Sequence, residues 1–421
     1  MKTAIKLVVV LLLIITVNSS KVNGQGYKFS KEKTKSITRE SDDNYGFTSK
    51  TLPTSYSLRK WAPTPGLQEG STCVGWAMSY AAMSITYNKA LNITDPFLKD
   101  VLAFDPVWTY ALGKQEGQKD CEDAIFYPDA ISQLEKFGCK RIFMPPISLD
   151  CDESVYDYTD AFSAPFIPKN IYALDLEKLK SYNDKVTAIK GMIAFGAPLP
   201  FGVETPKSLL GDGNSNPLPT GIWQPKAGEE MFGGHAMCLI GYSDSKYGGA
   251  FEIMNSWGTG FGEEGFFWIK YSDFIQRVQE LIYIEPVTIK SGNCKLGNCN
   301  DGYSIISPSQ GTMYEGFFKN QVPNGYGIIQ WPDKDVYAGG WVNGKRDGKA
   351  LFFSKGEVYG CYYSKGELLS SEPLGFGKSE TSSITDNIIK ELAKNKTTVK
   401  SEMPTKVFEG LENKSVEESW K

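Results

Sequence analysis

Apolar and polar positions change rhythm several times along the chain. Residues 7–17 are apolar throughout except Thr16, and Lys2 and Lys6 precede them. That run has the length of a signal-peptide h-region, whereas a spanning helix needs about 20 apolar residues. Val22-Asn23-Gly24 supplies a small-residue site for cleavage before Gln25. Residues 1–24 therefore read as a signal peptide, with an uncleaved anchor as the alternative, and the mature protein is expected to be soluble and secreted. Residues 25–51 are polar and charged, as in a linker or short pro-segment.

From 52 to 287 the pattern is mixed and globular. Trp76, Tyr80 and Met83 stand at i, i+4 and i+7, so a helix is predicted to begin close to Cys73. Pro128 opens a second helix whose apolar face is Ala130, Ile131, Leu134 and Phe137, and Gly138 ends it. Residues 236–242, 251–255 and 265–270 read as strands separated by glycine-rich turns. Helices first and strands later predict an α+β fold. Residues 204–230, rich in Gly, Pro and Asn, are expected to form a long loop.

Beyond 288 the chain repeats itself. Tyr314-Glu315-Gly316-Phe317-Phe318 recurs as Tyr337-Ala338-Gly339-Gly340-Trp341 and as Tyr359-Gly360-Cys361-Tyr362-Tyr363, at spacings of 23 and 22 residues. A fixed period with aromatics at constant offsets indicates stacked hairpins sharing one core. These units resemble MORN repeats, with residues 297–311 as a degenerate first half-unit. The resemblance implies a β-hairpin ribbon over 288–370 for contact with a protein or a membrane surface. Residues 371–421 are rich in Lys, Glu, Ser and Thr and read as a disordered tail, in which 386–393 could form a short amphipathic helix.

Composition narrows the function. The 421 residues carry 45 Lys+Arg against 49 Asp+Glu, a net charge of -4, so no global positive field favours nucleic acid. The single histidine, His235, rules out a His-rich metal site and any mechanism needing two imidazoles. Secretion permits disulfides among the eight cysteines. Cys294 and Cys299, in a Gly/Asn-rich stretch without histidine, suit a bridge better than zinc. Cys139 and Cys151 flank a proline-containing loop and are a second candidate pair. Cys238, inside an apolar run, reads as a buried free thiol. Asn92, Asn395 and Asn413 head glycosylation sequons.

Three segments carry candidate chemistry. Gln68 to Ala77 places Cys73 at a predicted helix start, where unpaired N–H groups and the helix dipole favour a thiolate. Gly233-Gly234-His235-Ala236 puts the lone imidazole at the head of an apolar strand, with glycines that allow close backbone approach. Asn255-Ser256-Trp257-Gly258 follows. In that order, these segments resemble the papain family of cysteine peptidases over residues 52–287. The resemblance implies a helical and a β-rich subdomain with a cleft between them, and peptide-bond hydrolysis through an acyl-enzyme without cofactor or metal. Cys73 would be the nucleophile and His235 its base, later the acid. Asn255 would fix the imidazole tautomer, Trp257 would shield that bond, Gln68 would complete the oxyanion hole, and Gly234 would support the histidine. Pairing with imidazolium can lower a thiol from about 8.5 to roughly 3–4, as it does in papain itself.

Two departures stand out. Cys73 is followed by Val74-Gly75-Trp76, whereas papain has tryptophan directly after its nucleophile, and the Gln68 to Cys73 spacing is one residue shorter. About 27 residues between Gln25 and Leu52 are also too few for the helical inhibitory propeptide of many relatives, so restriction of access is expected, if anywhere, from 204–230 or the repeats. A catalytically silent binding module acting with the repeats is the alternative function.

Overall fold

The computed structural model describes residues 26–38, 52–114, 118, 120–144, 151, 166–211 and 216–374. The signal-peptide reading, the 386–393 helix, the tail beyond 374 and the sequons at Asn395 and Asn413 lie outside the described residues.

Helices of the first half begin where short polar side chains meet their first-turn amides. Asp95 and Asp105 cap the helices Pro96–Val101 and Pro106–Gly113, each with proline in the first turn. Their central partner starts at Cys73 and runs through residue 90, winding as a π-helix over Trp76–Met83. Trp76, Tyr80 and Met83 are buried, but so is everything else from Cys73 to Met83, because this helix is enclosed by its neighbours rather than presenting one face. The expected helix at Pro128 is Tyr127–Phe137, ended by Gly138 at φ 66°.

The second half is a sheet. Its strands run in the order Ile171–Ala173, Glu280–Ile284, Leu199–Pro206, Met231–Ser243, Ala250–Met254, Phe266–Lys270 and Ile222–Trp223, antiparallel except for the last pair. Met231–Ser243 is longer than its apolar core suggests, because its exposed head pairs with the strand Leu199–Pro206. That pairing also shortens the loop expected at 204–230: Pro206 is still in register with Met231, and the helix Lys207–Leu210 follows. The architecture is the expected α+β arrangement of a helical and a sheet subdomain with a cleft between them, plus a ribbon.

The ribbon is an eight-stranded antiparallel meander from Cys294–Leu296 to Glu367–Pro373. Its first repeated tyrosine lies across partner-strand backbone that glycine leaves open: a Cβ on Gly327 would sit 2.2 Å from the Tyr314 hydroxyl. Side-chain alternation gives the ribbon two apolar faces. Tyr314, Phe318, Tyr337, Trp341 and Tyr363 stack edge-to-face on one of them at 5.2–5.5 Å. Tyr326, Ile328, Val336, Ala338, Leu351 and Phe353 on the other join the core of the preceding domain.

At that junction Arg141 is fully buried, with its Nε and Nη2 donating to Glu315 at 2.8 and 2.9 Å. Burial opposes its charge, and the Glu315 carboxylate overrides that effect and raises its pKa. The guanidinium also packs 4.0 Å from the Phe104 ring and 4.8 Å from Phe166.

Cys294 bonds Cys299. The Cys139–Cys151 expectation is corrected: Cys151 bonds Cys121, across Cα atoms 5.3 Å apart. Cys139 remains a free buried thiol donating to the Phe166 carbonyl, fixed there by a backbone bridge to Phe166. Cys238 is also free and buried.

Candidate active site

Cys73 sits at the first turn of the central helix, where backbone amides have no helical partner. Its sulfur accepts from the Ala236 N–H at 3.4 Å, and the nearby backbone amides of Val74, Cys73 and Gly26 also act to lower its pKa. Ala236 follows His235 on the strand Met231–Ser243, so the strand that presents the imidazole also holds the sulfur.

His235 Nε2 lies 2.8 Å from Asn255 Oδ1, and that oxygen also accepts from the Ser256 N–H. With the carbonyl oxygen facing it, Nε2 carries the proton and Nδ1 keeps its lone pair. Among the described residues Nδ1 is buried without a hydrogen-bond partner. Trp257 stacks on the imidazole at 4.5 Å and 18°, covering the His235–Asn255 bond from one side. Gln68 is held from the same loop: the Ser256 hydroxyl donates to its Oε1 at 2.6 Å, and its Nε2 donates to the Gly70 carbonyl at 2.8 Å. Its amide is therefore committed inside the loop leading to Cys73. Cys73, His235, Asn255, Gln68 and Trp257, drawn from three distant segments of the chain, converge on one end of the cleft.

What covers them was not legible in the sequence. Residues 26–38, a strap formed by the strand Tyr27–Lys28 and the helix Lys31–Ile37, lie in the cleft. Tyr27 pairs antiparallel with Gly234 on one wall and parallel with Ile125 on the other, joining the two subdomains. Restriction of access was expected from 204–230 or the repeats; it comes instead from this short segment, because a few residues suffice where the walls are made of glycine. A Cβ on Gly202 would stand 2.1 Å from the Tyr27 ring, and one on Gly234 would stand 2.2 Å from the Tyr27 carbonyl oxygen. Gly26 passes close to Cys73: a Cβ there would meet Ser71 O at 2.2 Å and Cys73 Sγ at 2.8 Å.

Under the strap, Cys73 and His235 are fully buried. Burial pushes the thiol up to about 12, against the lowering effect of the surrounding amides. Burial also holds the imidazole down to about 4, against the raising effect of Asn255. Both groups are therefore neutral near pH 7 in this closed arrangement. Tyr27 reaches beyond them to Glu280, and Ser256 positions Gln68. Neither Glu280 nor Ser256 carried a sequence signal of its own.

Residues 173–283 match the papain family cysteine protease family, and residues 314–336 and 337–358 match the MORN repeat. An uncharacterized peptidase C1-like protein of Acanthamoeba polyphaga mimivirus is 30% identical over 115 residues, 27% of this chain and 35% of that protein. A cathepsin B-like protein of Giardia intestinalis is 27% identical over 165 residues, 36% of this chain and 52% of that protein. The chain thus spans about a third to a half of the length of these two peptidase-like relatives. Alsin of Homo sapiens is 33% identical over 92 residues, 18% of this chain and 6% of alsin. The crystal structure of xylellain, a cysteine protease from Xylella fastidiosa, is similar at 19% identity and a TM-score of 0.47, covering 64% of this chain and 98% of that one.

Proposed function

We propose that the protein is a cysteine peptidase that hydrolyses polypeptides through Cys73, and that it is latent while the strap lies in the cleft. The observation that carries the reading is the His235–Asn255 pair at 2.8 Å, on the strand whose next residue, Ala236, donates to the Cys73 sulfur. With the strap withdrawn, solvent returns to both groups and the desolvation that keeps them neutral is removed. The thiol proton can then pass to Nδ1, giving a thiolate ringed by backbone amides and an imidazolium whose Nε2–H is held by Asn255. The thiolate attacks a substrate carbonyl carbon, and the imidazolium returns its proton to the leaving amine. Water, deprotonated by the same nitrogen, then releases the acid. Withdrawal also frees space beside the Cys73 N–H for the developing oxyanion, with Gln68 reorienting its amide from Gly70.

A silent binding module is the second reading, favoured by the complete burial of Cys73 and His235. An iodoacetamide or epoxide probe applied to the full chain separates the two. Labelling of Cys73 that vanishes in His235→Ala, together with peptide hydrolysis lost in Cys73→Ala, supports the peptidase. Labelling no faster than an ordinary thiol, with no hydrolysis after the strap is loosened, supports the silent module. In the active protein Gln68→Ala is expected to lower kcat about 100- to 1,000-fold without abolishing turnover, the usual cost of one oxyanion donor.

The reading extends to export through residues 1–24, which the two disulfides favour. Cleavage before Gln25 would make the strap the amino terminus of the mature protein, and amino-terminal sequencing of secreted material tests this. The catalytic domain occupies one ribbon face, so a protein or membrane-surface partner would meet the other face or the edges.

A further inference from the structure

Glu280 begins the strand Glu280–Ile284, in register with Gly202, and is only 4% exposed. Among the described residues both of its side-chain hydrogen bonds come from the strap. The Tyr27 hydroxyl donates to Oε2 at 3.1 Å, and Thr34 Oγ1 lies 2.8 Å from Oε1. Among the described residues no Lys or Arg stands in ion-pair range. The strap's Lys33 is held by Asp129 at 2.7 Å and its Lys31 by Glu177 at 3.5 Å. Arg277, three residues before Glu280, donates to the Lys226 carbonyl. Among the described residues the other titratable group felt by the carboxyl is Tyr127, from the helix Tyr127–Phe137, which burial keeps neutral. The neighbouring strand presents Phe201 and Gly202.

Proton counting makes this site asymmetric. Thr34 has one hydroxyl proton and two acceptors at 2.8 Å, the Ser30 carbonyl and Glu280 Oε1. With Glu280 ionised, one of those contacts sets lone pair against lone pair inside a covered cleft. With a proton on Oε1 every group is satisfied: Tyr27 donates to Oε2, Oε1–H donates to Thr34, and Thr34 donates to Ser30. A buried carboxylate without a cation is the costly form, and a buried neutral acid with two matched partners is not.

We propose that Glu280 makes closure of the strap proton-linked: the protonated carboxyl locks Tyr27 and Thr34 over the cleft, and loss of that proton towards neutral pH loosens the strap and uncovers Cys73. The lock itself is independent of the chemistry; only the use of the uncovered thiol rests on the peptidase reading. Burial raises the Glu280 pKa from 4.5 to about 7, against the lowering effect of Thr34 and Tyr27. Its value in the closed state therefore exceeds that in the open, solvated state. The stabilisation of closure is full below the open-state value and is lost as pH rises through about 7, by roughly tenfold per unit in between. His235, depressed by burial, acts in the opposite sense, favouring closure above its open-state pKa and opposing it as pH falls towards about 4.

Comparison with Glu280→Gln cancels the histidine contribution, since both chains share it, and glutamine reproduces the hydrogen bonds of the neutral acid. The experiment is hydrogen exchange of the strap amides in the full chain from about pH 5 to 8.5, corrected for intrinsic exchange, in a Cys73→Ser background that prevents self-cleavage. Strap protection in the parent relative to Glu280→Gln is expected to fall roughly tenfold per unit between about pH 5 and 7, then level off. A ratio that stays flat, or rises, overturns the proposal. Should Glu280→Gln fail to fold, Tyr27→Phe removes one donor to the carboxylate and must move the transition to higher pH; an unmoved transition is equally fatal. Peptide hydrolysis is measured separately on the chain that retains Cys73. A strap that obeys this pH law over a chain that hydrolyses nothing would sink the peptidase reading and leave the lock intact.

Discussion

The helix-and-sheet domain is covered twice by its own chain, by the strap at the cleft and by the ribbon against the helical subdomain. Both covers bury aromatic side chains and both place a charged-type residue in the interior. They differ in how that residue is compensated. Glu315 of the ribbon meets a guanidinium bidentately, with three aromatic rings around the cation. Glu280 under the strap meets two neutral hydroxyls. Apolar burial alone therefore does not tell a permanent junction from a removable one; the partner given to the buried charge does. The ribbon is built to stay, the strap to leave.

The comparison breaks most visibly at Arg141. Truncation in Arg141→Ala leaves Glu315 buried and unpaired, which typically costs about 3–5 kcal/mol. Denaturant unfolding should show that loss in full, whereas Arg141→Met with Glu315→Leu should recover most of it, since matched apolar replacements of buried pairs are often neutral. If the single variant unfolded at the parent midpoint, the junction would owe nothing to the pair and the contrast with Glu280 would fail.

The strap should respond in a different observable. Gly26→Ala forces a Cβ into the space held by the Ser71 carbonyl and the Cys73 sulfur. Overpacking of that kind costs about 1–3 kcal/mol, an opening of roughly five- to 150-fold. Because the strap can leave without unfolding the domain, the cost should appear as faster alkylation of Cys73 with little change in the global unfolding midpoint. A variant that lost global stability and kept the thiol protected would show the strap to be an integral part of the core.

The two covers were also unequally legible. The ribbon announced itself through Tyr314, Tyr337 and Tyr359, because successive hairpins repeat the same aromatic and glycine positions. Cys73, His235 and Asn255 were readable only together, because Gln68 to Cys73, Gly234-His235-Ala236 and Asn255-Ser256-Trp257-Gly258 resemble the papain family in that order, while each segment alone has an ordinary structural reading. The strap had no such signal. Gly26-Tyr27 sits in a charged stretch, and its meaning depends on Glu280, 253 residues away from Tyr27. The same holds for Arg141 and Glu315, 174 residues apart, and for Cys121. Cys139 and Cys151 were paired by the loop between them, yet Cys139 is anchored by Phe166 and Cys151 bonds Cys121 instead. Local pattern reports what a segment needs from its neighbours; it does not say which distant segment supplies it.

The smallest effect expected at the junction tests whether charge as such, or buried charge, is what fastens the ribbon. Lys334 of the ribbon reaches Asp95 of the helical subdomain at 2.6 Å, a shorter contact than either one between Arg141 and Glu315. The lysine side chain is 62% exposed, so water screens the attraction and ordering the chain costs entropy. Asp95 is also occupied as the cap of Pro96–Val101 and keeps that role without its partner. Lys334→Ala is therefore expected to change stability by no more than about 0.5–1 kcal/mol, and less in high salt. A loss approaching that of Arg141→Ala would mean that the rim of the junction, rather than its buried pair, holds the ribbon. The distinction between a compensated interior charge and an uncompensated one would then no longer explain why one cover stays and the other leaves.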